Sequence, residues 1–144
     1  MTDTPTLNGQ ILGQAERAAR ACLDRLLADH GTDFDQWIAV RHLALGTVPV
    51  TRTRLIAEYA ALVGIDADQA STVVDQLADR GWMAIGDDDG IALTEVGRDL
   101  YETMNTGALA IGARLYGDLP ADDLAATARV LLTLTERARA ELAA

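Results

Sequence analysis

The stretch Leu55-Ile-Ala-Glu-Tyr-Ala-Ala-Leu-Val-Gly-Ile-Asp-Ala-Asp-Gln-Ala-Ser-Thr-Val-Val-Asp-Gln-Leu77 decides the fold. Leu55, Ile56, Tyr59, Leu62 and Val63 recur at helical spacing, which predicts a helix from about Thr51 to Val63. Gly64 stops it. Ile65 leads at once to Asp66, an N-cap residue with Gln69 three positions on, the pattern of a capping box. A second short helix then buries Ala70, Val73, Val74 and Leu77 and ends at Gly81. Two short helices across so tight a turn form a helix-turn-helix unit.

Outward from this unit, Trp82–Ile85 and Ile91–Leu93 are short apolar runs. Gly86-Asp-Asp-Asp-Gly90 between them is turn chemistry, so a small β-hairpin follows, a candidate wing. Upstream, a helix starting near Asp33 carries Phe34, Trp37, Ile38, Arg41 and Leu45. Gln36 stands three residues after Asp33, as in a capping box, and Gly46-Thr-Val-Pro49 breaks the helix. Before it, a long helix from about Leu7 to His30 is read from Ile11, Leu12, Ala15, Ala18, Ala19, Cys22, Leu23, Leu26 and Leu27. Gly31 ends it. Downstream, Thr94 caps a fifth helix with the stripe Leu100, Met104, Ala108, Ile111 and Leu115. Gly107 and Gly112 weaken it and predict a bend near Asn105–Gly107. Leu119-Pro120 starts a sixth helix, with Pro in its first turn. Leu124, Ala128, Leu131, Thr135, Ala138 and Leu142 line one of its faces.

The expected class is therefore mainly α, a winged helix-turn-helix with a short β-hairpin wing and dimerisation helices at both ends. Its 144 residues fit one domain, with helices over about 7–31 and 94–144 flanking a lobe over about 33–93. Hydrophobic residues at 49% and charged residues at 24% fit a globular chain. No apolar run approaches a membrane span. The polar start, Met1–Asn8, lacks the regions of a signal peptide, so a cytoplasmic location is expected. The single Cys22, on the apolar stripe of the first helix, reads as a buried inert thiol.

All 12 basic residues are Arg, which excludes Schiff-base catalysis and a P-loop lysine. No nucleophile has an adjacent base at a recognisable spacing, so no enzyme is expected. His30 and His42 lack metal-ligand spacing, and no cofactor or metal is expected.

The order of elements resembles the MarR family of bacterial transcription regulators, and particular residues carry the likeness. Ser71-Thr-Val-Val-Asp-Gln-Leu77 with Arg80-Gly81-Trp82 is similar to that family's recognition helix and its exit. Leu93-Thr94 and Gly97 resemble its Leu-Thr-x-x-Gly at the end of the wing. Phe34-Asp-Gln36-Trp37 looks like the start of its helix two, and Leu119-Pro-Ala-Asp-Asp-Leu124 like the lead-in to its last helix. The resemblance covers nearly the whole chain. It implies a homodimer in which helices one, five and six of two chains interlock, with two winged lobes facing successive major grooves of a palindromic operator. It also implies a response to small phenolic or other aromatic ligands.

The physics of the terminal helices agrees, since wide apolar faces in so short a chain need a partner surface. In an aromatic-effector pocket, Trp37, Arg41 and Tyr101 would supply apolar walls and one cation, although a Trp in Trp37's place more often belongs to the core.

The wing departs from the family, whose tip usually carries basic residues. Here it is Asp87-Asp88-Asp89, a solvated turn that repels phosphate. The chain carries −10 overall, and three arginines against nine carboxylates leave residues 47–97 at −6. Base readers remain: Gln69, Ser71, Thr72 and Gln76 point away from the buried stripe, and Gln pairs naturally with adenine. Arg52 and Arg54 open the preceding helix, placed either to hold phosphates or to pair locally with Glu58. Two functions follow. One is a sequence-specific, ligand-responsive repressor with low non-specific affinity. The other is an interaction protein whose acidic lobe binds a basic protein partner and not DNA.

Overall fold

The computed structural model describes residues 3–144. Met1 and Thr2, at the head of the polar Met1–Asn8 stretch, lie outside the described residues. The elements are α1 (Gly9–Asp29), α2 (Phe34–Leu45), β1 (Val50–Thr51), α3 (Arg52–Val63), α4 (Ala67–Asp79), β2 (Met83–Ile85), β3 (Gly90–Leu93), α5 (Glu95–Tyr116) and α6 (Ala121–Ala143). The chain divides into two compact units, one ending at Ile111 and the other spanning Gly112–Ala144. Among the described residues no helix is long and apolar enough to cross a membrane.

The helix boundaries follow from local chemistry. Asn8 caps α1 by accepting from the Ile11 N–H at 2.9 Å, so the helix begins just after the predicted Leu7. Asp33 caps α2 by accepting from the Gln36 N–H at 2.9 Å. The capping box expected there is only half made, because the Gln36 side chain turns inward. The turn between α3 and α4 behaves as read: Gly64 adopts φ 74°, and the N–H groups of Gly64 and Ile65 both donate to the Ala60 carbonyl. Asp66 and Gln69 then form a complete capping box. Pro120 is the N-cap of α6 and not part of its first turn.

Helix α5 stays helical through Asn105–Gly107, the stretch that its glycines weaken. Gly107 answers a packing demand, since a Cβ there would lie 2.8 Å from Leu26 Cδ1.

The sheet has three antiparallel strands in the order β1-β3-β2. In register, Met83 faces Leu93 and Ile85 faces Ile91 across the hairpin, while Val50 and Thr51 pair with Ile91 and Gly90. Strand β1 is an addition to the sequence reading, which saw only a helix break before it. Two residues are too few for period-two alternation, and the strand exists because β3 offers its second edge. At the hairpin tip Gly86 N–H donates to the Gly90 carbonyl at 2.8 Å, and Asp89 takes φ 64°. Asp tolerates that left-handed conformation better than most residues.

The main core joins Ala39 and Val40 of α2, Leu55, Ile56 and Tyr59 of α3, Ala70, Val74 and Leu77 of α4, and Trp82, Met83 and Ile91 of the wing base. Tyr59 is fully enclosed, and its hydroxyl donates to the Asp35 carbonyl at 2.8 Å. Burial, then the nearby carboxylates of Asp35 and Asp33, push its phenol well above the ordinary range, so it stays a neutral donor. A second cluster joins Leu27, Trp37 and Met104. Cys22 is half-buried, short of the full burial expected. Helix α6 contains no buried residue.

Candidate nucleic-acid interface

Helix α4 buries Ala70, Val74 and Leu77 against the lobe core. The alternation leaves Gln69, Thr72 and Gln76 exposed and Ser71 half-buried, close to the outward set that the sequence predicts. The wing lies next to α3: Arg52 N–H donates to the Asp89 carbonyl at 2.9 Å, which pins the tip to the start of that helix. The side chains of the tip turn partly inward. Asp88 accepts from the Gly90 N–H at 3.0 Å, and Asp89 accepts from the Thr53 hydroxyl at 3.4 Å.

Each of the six candidate contact residues is already occupied within the chain. Gln69 accepts from the Asp66 N–H at 3.2 Å as part of the capping box. Thr72 donates back to the Asp68 carbonyl at 3.0 Å. Arg52 donates from one guanidinium nitrogen to Ser71 Oγ at 2.8 Å and to Asp75 Oδ1 at 2.6 Å. Its side chain is only 26% exposed, while that of Asp75 is 58% exposed. Arg54 Nε donates to Glu58 Oε1 at 2.8 Å, the local pairing that the sequence left open, and Glu58 Oε2 meets His42 Nε2 at 2.9 Å.

Gln76 completes a network centred on Gln36, the one buried polar side chain among the described residues. The Gln36 oxygen accepts from the Thr32 hydroxyl at 2.9 Å and from Arg80 at 2.9 Å. Its nitrogen donates to Gln76 Oε1 over a long 3.5 Å. Arg80 sits over Trp82, with its guanidinium carbon 3.8 Å from the ring centroid.

The structure thus brings Arg52 and Ser71 together and leaves Arg54 in a separate network. Asp75, Gln36 and Arg80 are participants that sequence reading missed. Asp75 carries a signal in hindsight, because it lies one turn from Ser71 on the same helix face. Gln36 and Arg80 are 44 positions apart and carry none.

Of the effector set, Trp37 and Tyr101 meet in a near-parallel stack, with centroids 5.7 Å apart and an interplanar angle of 19°. Trp37 is 3% exposed and belongs to the core, and Arg41 is exposed. Among the described residues no cluster of His, Cys, Asp or Glu could hold a metal ion.

Hydrogen bonds from His42 and then Arg54 hold the Glu58 carboxylate below its ordinary value, against a smaller opposing effect of burial. A carboxylate with a depressed folded-state value stabilises the fold above its unfolded value, and that stabilisation is lost as pH falls through the depressed one. Acid titration of stability should therefore show a contribution from Glu58 on the acid limb. Glu58→Gln should flatten that limb in urea unfolding at stepped pH. An unaltered limb would show that the three side chains are not coupled in solution.

A helix-turn-helix with a three-stranded wing and a polar outer face on its second helix defines a winged helix-turn-helix protein. The chain is similar in fold to the transcriptional regulator PA3341, with 26% identity, a TM-score of 0.75 and coverage of 91% of this chain and 97% of that one. It is similar also to the MarR family protein Rv2887 of Mycobacterium tuberculosis, solved in complex with DNA (23% identity, TM-score 0.69, coverage 92% and 98%). A third likeness is to CouR from Rhodococcus jostii RHA1, solved bound to p-coumaroyl-CoA (20% identity, TM-score 0.74, coverage 88% and 90%). No protein-family sequence profile matches the chain, and no curated protein matches it in sequence. The fold is the MarR-family winged helix-turn-helix fold, as the sequence motifs implied.

Proposed function

We propose that this chain is a sequence-specific DNA-binding transcriptional regulator, acting as a homodimeric repressor that a small effector releases. The observation that carries the reading is the outer face of α4, where Gln69, Ser71, Thr72 and Gln76 stand on a helix-turn-helix beside a wing. The similarity to a DNA-bound MarR-family structure supports it. In this reading residues 1–144 work as one MarR-like domain, with the terminal helices as the dimer interface.

Ten of the fifteen large apolar side chains exposed among the described residues support that interface. They are Leu7 and Ile11 at the α1 end, Leu109, Leu115 and Tyr116 on α5, Leu119 after it, and Val130, Leu132, Leu134 and Leu142 on α6. Exposed apolar side chains in this number are a liability in a monomer and an asset in a two-fold interface. Sedimentation should give twice the 15.3 kDa chain mass. Val130→Glu with Leu134→Glu should release monomers; a double variant that stays dimeric would move the interface elsewhere.

For the effector, the fold likeness to a p-coumaroyl-CoA complex favours a ligand with an aromatic body. A pocket using Trp37, Arg41 and Tyr101 requires the Trp37–Tyr101 stack to part.

The test is selection of bound fragments from the host genome at low and at physiological salt, followed by anisotropy titration of the best one. Enrichment of a palindrome with half-sites about one helical turn apart is the expected result. Absence of enrichment at both salts would withdraw the DNA role. Arg52→Ala with Arg54→Ala should then weaken operator binding and flatten its salt dependence.

Asp75 gives a sharper prediction. Its carboxylate holds Arg52 where a DNA phosphate otherwise would. Asp75→Asn should free one cation, raise affinity for random duplex about fivefold, and steepen the salt slope by about one. Weaker binding by this variant would mean that Asp75 positions Arg52 for reading and does not withhold it.

A second reading is favoured by the same pairings. Arg52 and Arg54 both face internal carboxylates, and the acidic wing tip is exposed. A lobe of this charge would suit a basic protein partner. Stoichiometric recovery of a basic protein from host lysate, without fragment enrichment, would select it.

A further inference from the structure

A cleft of about 340 Å³ opens between the end of α2, the 46–49 loop and α3, apart from the Trp37–Tyr101 stack. That volume lies at the lower end of the range for small-molecule sites and has room for on the order of ten heavy atoms. Its walls are aliphatic. Leu55 is fully buried at one side, Val50 is half-buried, and Leu45 and Val48 are 53% and 61% exposed. Large aliphatic side chains open to water around a concavity leave apolar surface that an apolar body would cover.

The polar rim is His42, Glu58 and Arg54. Both Glu58 oxygens are engaged, one by His42 Nε2 and one by Arg54 Nε. Among the described residues the two terminal nitrogens of Arg54 have no hydrogen-bond partner, and neither has His42 Nδ1. The free donors of the rim are therefore the Arg54 terminal nitrogens; with Nε2 donating to Glu58, a neutral His42 ring leaves Nδ1 as an acceptor. Two parallel guanidinium N–H groups match a carboxylate in the bidentate geometry. The Glu58 charge offsets the Arg54 charge, so an anionic head would be held by directed hydrogen bonds from Arg54 more than by net charge.

We propose that this cleft binds a small aliphatic carboxylate, with its head on the terminal nitrogens of Arg54 and its chain along Leu45, Val48, Val50 and Leu55. The site stands without any DNA role. Its regulatory consequence rests on the DNA-binding reading above: the carboxylate occupies the guanidinium that a phosphate would otherwise contact, so ligand and DNA compete for one cation.

Octanoate is the probe. The chain has only two histidines, so His42 reports on the cleft and His30 serves as an internal control. Titration of the full chain, without DNA, is followed by the ring signals of both histidines in NMR. The expected result is a saturable shift at His42 with His30 unmoved, at least tenfold weaker binding in Arg54→Gln, and no saturable shift with octanol. Arg54 is largely exposed, so that variant should fold. Val48→Asp, at the exposed wall, should also abolish the shift. Three results would each overturn the site: no His42 shift at millimolar octanoate, equal shifts at both histidines, or binding by Arg54→Gln or of octanol as strong as that of octanoate by the unaltered chain. A chain that binds octanoate but selects no DNA would keep the site and lose only its regulatory consequence.

Discussion

Gly97→Ala is expected to destabilise the lobe by about 3 kcal/mol or more, among the larger effects of any single methyl group. A Cβ at this position would lie 2.0 Å from the Trp82 carbonyl oxygen and 2.9 Å from its carbon. These are backbone atoms and cannot swing aside as a side-chain end does. The same carbonyl accepts from the Thr94 N–H at 3.0 Å, and the Thr94 hydroxyl donates to the Gly81 carbonyl. Thr94 Oγ1 also accepts from the Gly97 N–H at 3.0 Å, capping α5. Backing away from the clash would break these bonds together and lift the start of α5 off the wing base. Urea unfolding should show a lower midpoint with an unchanged slope. A shift under about 1 kcal/mol would mean that the helix start gives way freely.

Trp37→Ala is the second large effect, at about 3–5 kcal/mol. Trp37 fills the second core cluster between Leu27 of α1 and Met104 of α5, with Tyr101 stacked on its ring. Truncation removes the largest side chain at that junction and leaves Tyr101 without its partner. Trp37→Phe should cost much less, because a ring remains in the stack. The chain has two tryptophans, so either variant leaves Trp82, at the wing base, as the lone indole fluorophore. If Trp37→Ala lowers stability by under 1 kcal/mol, the Leu27–Trp37–Met104 cluster does not hold α1 to the lobe.

Much of this architecture is written in local signals. Gly64, Asp66 and Gln69 fix the turn between α3 and α4 within six residues, and all three act as their chemistry predicts. Thr94 and Gly97 likewise mark the end of the wing. Strand β1 escaped because its cause lies forty positions away, in the free edge of β3 at Gly90 and Ile91. The half-made capping box at Asp33 has the same kind of origin. Its partner Gln36 is drawn off by Thr32 and Arg80, and helix propensity knows nothing of either.

The candidate interface was legible as a face but not as a state. Period 3.6 showed which residues of α4 point outward. It could not show that Arg52 would find Asp75, 23 positions on. The pairing of Arg54 with Glu58 was readable because both sit one turn apart on a single helix. The cleft at the end of α2 was invisible, since its aliphatic wall and its polar rim come from different elements.

The buried amide of Gln36 has a consequence for grammar at the groove. Arginine can only donate, so the Gln36 end that meets Arg80 must be its oxygen. Its nitrogen is then obliged to face Gln76 and to meet that side chain's oxygen. One choice of orientation forces the next, and the last link leaves the Gln76 nitrogen as that side chain's free group. In the DNA-binding reading, a base edge approaching this position would meet a donor. It would be asked for an acceptor, which adenine, guanine and thymine can each present in the major groove and the cytosine amino group cannot. An arginine that touches no base would thus decide which kind of group this position asks of a base pair.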